Sequence, residues 1–114
     1  MNSKYFGNGG EFDAQKFLEK NGLKILEKNY KNKIGEIDII CFDKKEKEYA
    51  FIEVKSRTTK VYGMPCEAVT SFKQHKIRQV ASLYMLKNKI TEERVRFDVV
   101  EILDNKINYI KYAF

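Results

Sequence analysis

The sequence contains few of the residues on which many catalytic and metal sites depend. It has one histidine and two cysteines in 114 residues. His75 has no Asp, Cys or second His at a catalytic spacing, and Cys41 and Cys66 do not have the spacing of metal ligands. A histidine-based catalytic site and a structural zinc site are therefore not expected. In a reducing cytosol both cysteines are expected as thiols.

Long hydrophobic runs and internal repeats are also missing. No segment approaches the roughly 20 apolar residues that a membrane helix needs, and residues 1–7 contain no apolar signal region. The hydrophobic fraction of 43% and the charged fraction of 33% fit a globular chain. A length of 114 residues allows one core, so residues 1–114 are predicted to form a single domain. We expect a cytoplasmic protein with no membrane partner.

Positive charge is in surplus. Lysine and arginine total 22 and aspartate and glutamate total 16, which gives a net charge of +6. Such a surplus is consistent with a polyanionic partner such as nucleic acid. Many small proteins are equally basic without binding DNA, so the charge gives only modest support.

The middle of the chain is predicted to form a β-hairpin. Residues 35–43 and 49–57 are rich in Ile, Val, Phe and Tyr, and a charged turn at residues 44–48 separates them. An antiparallel pairing with Ile40 opposite Phe51 places the apolar residues of both strands near the turn. A slip of one residue would move side chains to the other face.

Charged residues interrupt both predicted strands, where charges are depleted and costly to bury alone. In the same register Asp38 lies opposite Glu53 and Glu36 opposite Lys55, while Arg57 follows on the same face. The charged ends of the two strands therefore meet on one face of the hairpin.

Two carboxylates about 5 Å apart across a strand pair repel each other unless a cation lies between them. Mg²⁺ or Mn²⁺ is the natural candidate, because such ions prefer oxygen ligands and are often held by one or two carboxylates. Lys55 lies two residues after Glu53 on the same side. It is placed to orient or help deprotonate an attacking water, or to stabilise developing charge. Carboxylate, carboxylate and lysine at one edge of a sheet indicate phosphodiester cleavage.

The remaining elements follow from hydrophobic periodicity and turn residues. The predicted order is α-β-β-β-α-β-β, a mixed β-sheet flanked by two main helices. The predicted elements outside the hairpin are a helix from about residue 10 to 21, a strand at 23–31, a helix from 70 or 71 to 87, and strands at 94–103 and 107–114.

Three basic residues near the predicted site are candidates for nucleic-acid binding. Arg57 and Lys60 lie at the start of an irregular stretch that leaves the hairpin, and Lys73 lies one turn before the apolar stripe of the second helix. Such residue types contact phosphates. An ordinary surface loop and a solvated helix face are the alternatives.

Five pieces of the sequence, in this order, resemble the small bacterial YraN-type family of the PD-(D/E)xK nuclease superfamily, which is similar to Holliday junction resolvases. The resemblance covers nearly the whole chain. One departure is that Ile37, rather than proline, precedes Asp38. The matching pieces are Gly10-Glu11-Phe12-Asp13-Ala14, Gly35-Glu36-Ile37-Asp38, Phe51-Ile52-Glu53-Val54-Lys55-Ser56-Arg57, Lys73 with the helix after it, and Arg96-Phe97-Asp98-Val99-Val100.

The resemblance implies a restriction-endonuclease-like core and a metal-dependent endonuclease acting on DNA, including branched DNA. Asp38 and Glu53 would bind Mg²⁺ or Mn²⁺, and Glu11 and Glu36 would complete the acidic cluster. The pattern alone favours a first-turn glutamate at Glu11 that interacts with the helix dipole, and the resemblance reverses that preference. Glu36 is equally a solvated charge or an ion-pair partner of Lys55.

Two other classes of function stay open. One is a nucleic-acid-binding protein of the same fold that does not cleave, and the other is a structural module whose acidic residues are ion-paired. RNA is not excluded as the substrate. Asp98 is interpreted as an ion-pair partner of Arg96 rather than a metal ligand. The aromatic residues Tyr109, Tyr112 and Phe114 suggest an edge strand that pairs in a homodimer.

Overall fold

The computed structural model of the protein describes residues 13–57 and 69–114. Within them, five strands form one mixed sheet with a helix on each face, which confirms the predicted order α-β-β-β-α-β-β. This mixed α/β architecture is compatible with a restriction-endonuclease-like core. The elements are α1, whose described part covers residues 13–20, β1 (Leu23–Lys31), β2 (Glu36–Asp43), β3 (Glu48–Arg57), α2 (Ser71–Asn88), a 3₁₀ turn (Glu92–Arg94), β4 (Val95–Leu103) and β5 (Lys106–Ile110).

The strands lie in the sheet in the same order as in the sequence. β1, β2 and β3 form an antiparallel meander, β3 and β4 pair in parallel, and β5 returns antiparallel to β4. The parallel pair requires a crossover connection, and α2 provides it. Ile40 pairs with Phe51, as predicted for the hairpin. The β2–β3 ladder ends at Ile39 and Ile52, so the predicted pairs of Asp38 with Glu53 and of Glu36 with Lys55 are not part of it.

The two helices cover opposite faces of the sheet. Ala14 and Leu18 of α1 are completely buried on one face, together with Ile39, Ile52 and Val100. On the other face α2 buries a stripe with helical spacing against β2, β3 and β4. The stripe consists of Ile77, Val80, Ala81, Tyr84 and Met85.

The ends of both helices follow the local sequence. Gly22 has a φ of +87°, which explains why α1 ends in a turn at Asn21 and Gly22. At the start of α2, the Thr70 hydroxyl oxygen accepts a hydrogen bond from the Lys73 backbone N–H at 3.2 Å. Among the described residues, no helix is long and apolar enough to cross a membrane.

The predicted final strand is too long, since β5 ends at Ile110 rather than Phe114. After it the backbone turns at Tyr112, which has a φ of +53°, and the Ala113 N–H bonds to the Phe97 carbonyl oxygen at 2.7 Å. The Phe114 ring then stacks on Phe97 with centroids 5.4 Å apart. The terminal aromatic residues therefore pack mostly inward, and Tyr112 alone among them is strongly exposed, at 60%.

The predicted register assumes that successive side chains of β2 alternate between the two faces of the sheet. This alternation fails at the start of β2. Ile37 packs in the same cluster as Ile40, on the α2 face, whereas Ile39 packs on the α1 face. Pairing between β2 and β3 ends at Ile39 and Ile52. The first residues of β2 therefore form no ladder with β3, and their side chains need not alternate strictly between the two faces of the sheet.

Candidate functional site

The candidate site lies where β2 separates from β3. Asp38 is half-buried there, and its Oδ2 accepts a hydrogen bond from the Val54 backbone N–H at 2.8 Å. Beyond the pair of Ile39 with Ile52, the carboxylate therefore takes the place that a strand carbonyl would otherwise occupy. Asp38 therefore contacts the backbone of the residue that follows Glu53.

Glu53, on the neighbouring strand β3, is buried, with 8% of its surface exposed. Its Oε2 lies 2.9 Å from the Nζ of Lys73, which reaches over from the first turn of α2. The Lys73 side chain is 52% exposed, so the ion pair joins a buried carboxylate to a partly solvated ammonium.

The electrostatics of Lys73 link this pair to the other acidic residues of β2. The hydrogen bond to Glu53 raises the pKa of Lys73 above its usual value, and burial acts in the opposite direction. The negative charges of Glu53, Asp38 and Glu36 raise this pKa further. One ammonium group therefore lies in the field of all three carboxylates.

Lys55 is half-buried and lies two residues after Glu53 in β3. Cross-strand partners of a parallel pair share a face, as the stacked rings of Phe51 and Phe97 show at 5.4 Å. Two and four residues further along, Glu53 pairs with Val99 and Lys55 with Glu101. Lys55 is therefore directed to the face that carries Glu53.

Glu101 is a residue of this face that the sequence prediction missed. It is 5% exposed, and its Oε2 has no hydrogen-bond partner in the described part of the chain. A buried carboxylate oxygen without a partner is unfavourable for folding. The only sequence signal for this residue is that a glutamate interrupts the apolar run of β4. The position of Glu101 beside Lys55 follows from the parallel register of β3 and β4.

The other predicted site residues are distributed as follows. Glu36 is exposed at the start of β2, where it pairs with Lys31 of β1. Glu11 and Lys60 lie outside the described residues, and Arg57 ends β3 without a described side chain. His75 is exposed on α2.

The described carboxylates fit a divalent cation held by few protein ligands. Within residues 13–57 and 69–114, no three His, Cys, Asp or Glu side chains converge on a common point. Asp38 and Glu53 remain as a pair of oxygen donors, and the raised pKa of Lys73 shows that positive charge is stabilised beside Glu53 and in the field of Asp38. Mg²⁺ typically uses only one or two carboxylates and completes its shell with water and substrate phosphates.

Comparison with known proteins assigns the chain to a family. The model of the uncharacterised protein family UPF0102 matches residues 10–102. The chain belongs to the UPF0102 family. The matched segment contains Asp38, Glu53, Lys55 and Lys73, so the whole candidate site lies in the part that is typical of UPF0102.

Three UPF0102 relatives match over almost their full length. The chain is 50% identical to a UPF0102 protein of Clostridioides difficile over 116 residues, covering 100% of both chains. It is 44% identical to one from Alkaliphilus metalliredigens, covering 98% of this chain and 99% of the relative. It is 42% identical to one from Caldanaerobacter subterraneus, with coverage of 100% and 98%. The chain therefore spans nearly the full length of these relatives.

Proposed function

We propose that the protein is a divalent-metal-dependent endonuclease of the PD-(D/E)xK superfamily that hydrolyses phosphodiester bonds in DNA. The cofactor would be Mg²⁺ or Mn²⁺, and a location in the cytoplasm follows from a DNA substrate in a bacterial family. Similarity to Holliday junction resolvases extends the proposal to branched DNA, and a homodimer would suit cleavage of two strands. These last two points rest on analogy alone.

The proposed roles combine the described positions of Asp38, Glu53 and Lys55 with the resemblance to nucleases. Asp38 and Glu53 would hold the cation, and Glu11 and Glu36 would add negative charge around it. When bound, a divalent cation neutralises charge on the scissile phosphate. Lys55 would orient the attacking water or stabilise the charge that develops on phosphorus-bound oxygen.

The observation that carries the proposal is the ion pair of Lys73 with the buried Glu53, at 2.9 Å, in the electrostatic field of Asp38 and Glu36. Carboxylates of like charge are costly to hold together unless a cation accompanies them. The same face of the sheet also carries Lys55, where β2 separates from β3. This combination favours phosphate chemistry over a purely structural role for the ion pair. Arg57, Lys60 and Lys73 would contact DNA phosphates.

One observation favours a second function, nucleic-acid binding without cleavage. Lys73 compensates the charge of Glu53 through an ion pair at 2.9 Å, so this buried carboxylate has a counter-charge within the protein. Under this alternative, DNA affinity persists in EDTA and tolerates substitution of Asp38. Both functions allow RNA in place of DNA.

The test is a strand-cleavage assay on linear duplex, single-stranded and four-way-junction DNA, with a matched single-stranded RNA, in Mn²⁺ and then in EDTA. Asp38→Asn and Lys55→Met are compared with the wild type. Asparagine retains an oxygen that can accept the Val54 N–H, so folding is expected to survive. We expect cleavage in Mn²⁺ only, and a loss of about a hundredfold or more in each variant.

Lys44→Met is the matched control, because Lys44 is exposed in the hairpin turn away from the site and its substitution removes the same charge. It should cleave like the wild type. Binding without any cleavage by the wild type, together with a melting temperature that Mn²⁺ does not raise, would instead identify the non-cleaving function.

A further inference from the structure

The ion pair between Lys73 and Glu53 occupies the same carboxylate that the proposed metal site requires. The Lys73 Nζ lies 2.9 Å from Glu53 Oε2. Glu53 is 8% exposed, so its charge needs a partner in the folded protein, and Lys73 is the ion-pair partner found for it in the described residues. A divalent cation on this carboxylate would bring two positive groups within a few ångströms of each other. They would repel strongly.

We propose that Lys73 is a built-in counter-cation that competes with the divalent metal for Glu53 and, once displaced, binds a DNA phosphate. This inference rests on the proposed function, because it assumes that Glu53 is a metal ligand. It adds a coupling between metal binding and DNA binding. Metal binding at Glu53 releases Lys73, and the released Lys73 raises the affinity for DNA.

The structure of α2 makes this exchange local. The Lys73 backbone is fixed in the first turn, where its N–H bonds to the Thr70 hydroxyl at 3.2 Å. The side chain alone is partly solvated, at 52% exposure, and its flexible stem can swing without moving the helix. α2 itself stays anchored by the buried stripe that includes Ile77 and Val80.

The direct test measures Mn²⁺ affinity, by the electron paramagnetic resonance signal of free Mn²⁺ or by calorimetry, in the absence of DNA. Lys73→Met removes the competitor and is expected to bind Mn²⁺ about fivefold more tightly than the wild type. The factor follows from the upper end of the range for partly exposed ion pairs. Lys73→Arg should restore affinity close to that of the wild type.

Lys76→Met is the control for a general loss of positive charge. Lys76 lies one turn along α2, is exposed, and has its ammonium 5.9 Å from the centre of the Phe72 ring rather than on a carboxylate. Its Mn²⁺ affinity should equal that of the wild type. A similar gain in both variants would attribute the effect to net charge and overturn the proposal.

The remaining outcomes separate this inference from the proposed function. Wild-type binding with equal or weaker binding by Lys73→Met would overturn the competition and leave the metal site intact. No Mn²⁺ binding by the wild type or by Lys73→Met would overturn both.

DNA affinity provides the second readout, in a Lys55→Met background that prevents cleavage. In EDTA, Lys73 is held by Glu53, so Lys73→Met should change DNA affinity little. In Mn²⁺ the same substitution should weaken binding severalfold and reduce the slope of log affinity against log salt by about 0.9, the value for one phosphate contact. An equal effect in EDTA and Mn²⁺ would contradict the coupling.

Discussion

Arg96 shows how a charged residue is accommodated in the interior of a small protein. It is 2% exposed, and its Nε donates to both carboxylate oxygens of Asp98, at 2.9 and 3.2 Å. Its remaining groups reach Asp43 at 2.9 Å, Glu48 at 3.1 Å and the Tyr109 hydroxyl at 3.1 Å. Buried charges persist only when paired and hydrogen-bonded in this way. The prediction that Asp98 is an ion-pair partner of Arg96 is confirmed.

This cluster of Arg96, Asp98, Asp43, Glu48 and Tyr109 is separate from the candidate site. Asp98 pairs across the ladder with Ile52, on the α1 face, whereas Glu53 belongs to the α2 face. The cluster ties the end of the hairpin to β4 and β5. Its role is therefore structural, and stability is the property that it controls.

Tyr109 is the residue at which that role can be measured. Its hydroxyl accepts a hydrogen bond from Arg96 and donates one to Asp98. Hydrogen bonds to charged groups are worth more than neutral ones, so Tyr109→Phe should lower the free energy of unfolding by about 2 kcal/mol. Urea unfolding monitored by circular dichroism measures the difference.

Tyr112→Phe is the matched control for Tyr109→Phe. The Tyr112 hydroxyl also donates to a carboxylate of the cluster, that of Glu48, but the side chain is 60% exposed. Its loss should cost much less stability than the loss of the Tyr109 hydroxyl, as is usual at the surface. Equal losses in the two variants would show that burial of the cluster does not strengthen its hydrogen bonds.

At the scale of elements, the end of α2 carries a residue that is unfavourable for its backbone conformation. Lys89 is left-handed, with φ of 56° and ψ of 46°, and the following Ile90 N–H bonds to the Met85 carbonyl oxygen at 2.9 Å. This position favours glycine, because a side chain there is crowded against the backbone. Lys89→Gly should raise the free energy of unfolding by about 0.5 kcal/mol after the entropy cost of glycine.

A glycine two residues earlier should have the opposite effect. Lys87 lies in the last turn of α2, is exposed and has helical geometry, so Lys87→Gly should lower the free energy of unfolding by about 1 kcal/mol. Each substitution removes one exposed lysine, and urea titration measures the stability of both variants. Destabilisation by both would mean that the conformation of Lys89 carries no strain.

Most element boundaries could be predicted because they depend on local signals. The Asn21-Gly22 stop, the charged turn between β2 and β3 and the apolar stripe of α2 each act within a few residues. The end of β5 could not be predicted, because the bond from Ala113 to Phe97 and the stacking of Phe114 depend on distant partners. Aromatic spacing alone is equally typical of a continued strand.

At the scale of the whole molecule, the sequence located part of the candidate site. Hairpin register alone is enough to relate Asp38 to Glu53, since both belong to neighbouring strands. The pair of Lys73 with Glu53 depends on how α2 crosses the sheet. The place of Glu101 depends on the parallel pairing of β3 with β4, whose strands are separated by the whole of α2. Contacts of this kind arise from packing and have no local sequence signal.

The whole fold should also lose stability in alkali, because several buried groups retain their protons longer when folded. Burial, with the nearby charge of Asp98, raises the pKa of the Cys41 thiol to about 12. Burial and the hydrogen bond to Asp98 raise the pKa of Tyr109, and burial raises that of Tyr84. In the unfolded chain these groups lose protons near pH 8.5 for cysteine and near pH 10 for tyrosine.

The sign of the effect follows from which state loses protons first. Below about pH 8 both states are protonated, and the contribution to stability is complete. As the pH rises from about 8.5 toward the folded pKa values, the unfolded chain ionises first and is favoured. The free energy of unfolding should therefore fall between pH 9 and about 10.5, at up to about 1.4 kcal/mol per pH unit for each group concerned.

Urea titrations at pH 7.5, 9 and about 10.5 measure this fall, and Cys41→Ala identifies the contribution of the thiol. Alanine leaves a small cavity in a site that is 0% exposed, so the variant should be less stable at every pH. Its fall between pH 9 and about 10.5 should nevertheless be smaller than that of the wild type by about 2 kcal/mol, because no thiol remains to ionise. If the free energy of unfolding changed with pH in parallel for the two proteins, Cys41 would ionise equally in the folded and unfolded states. That result would contradict a thiol held protonated by burial among the apolar residues of the α1 face.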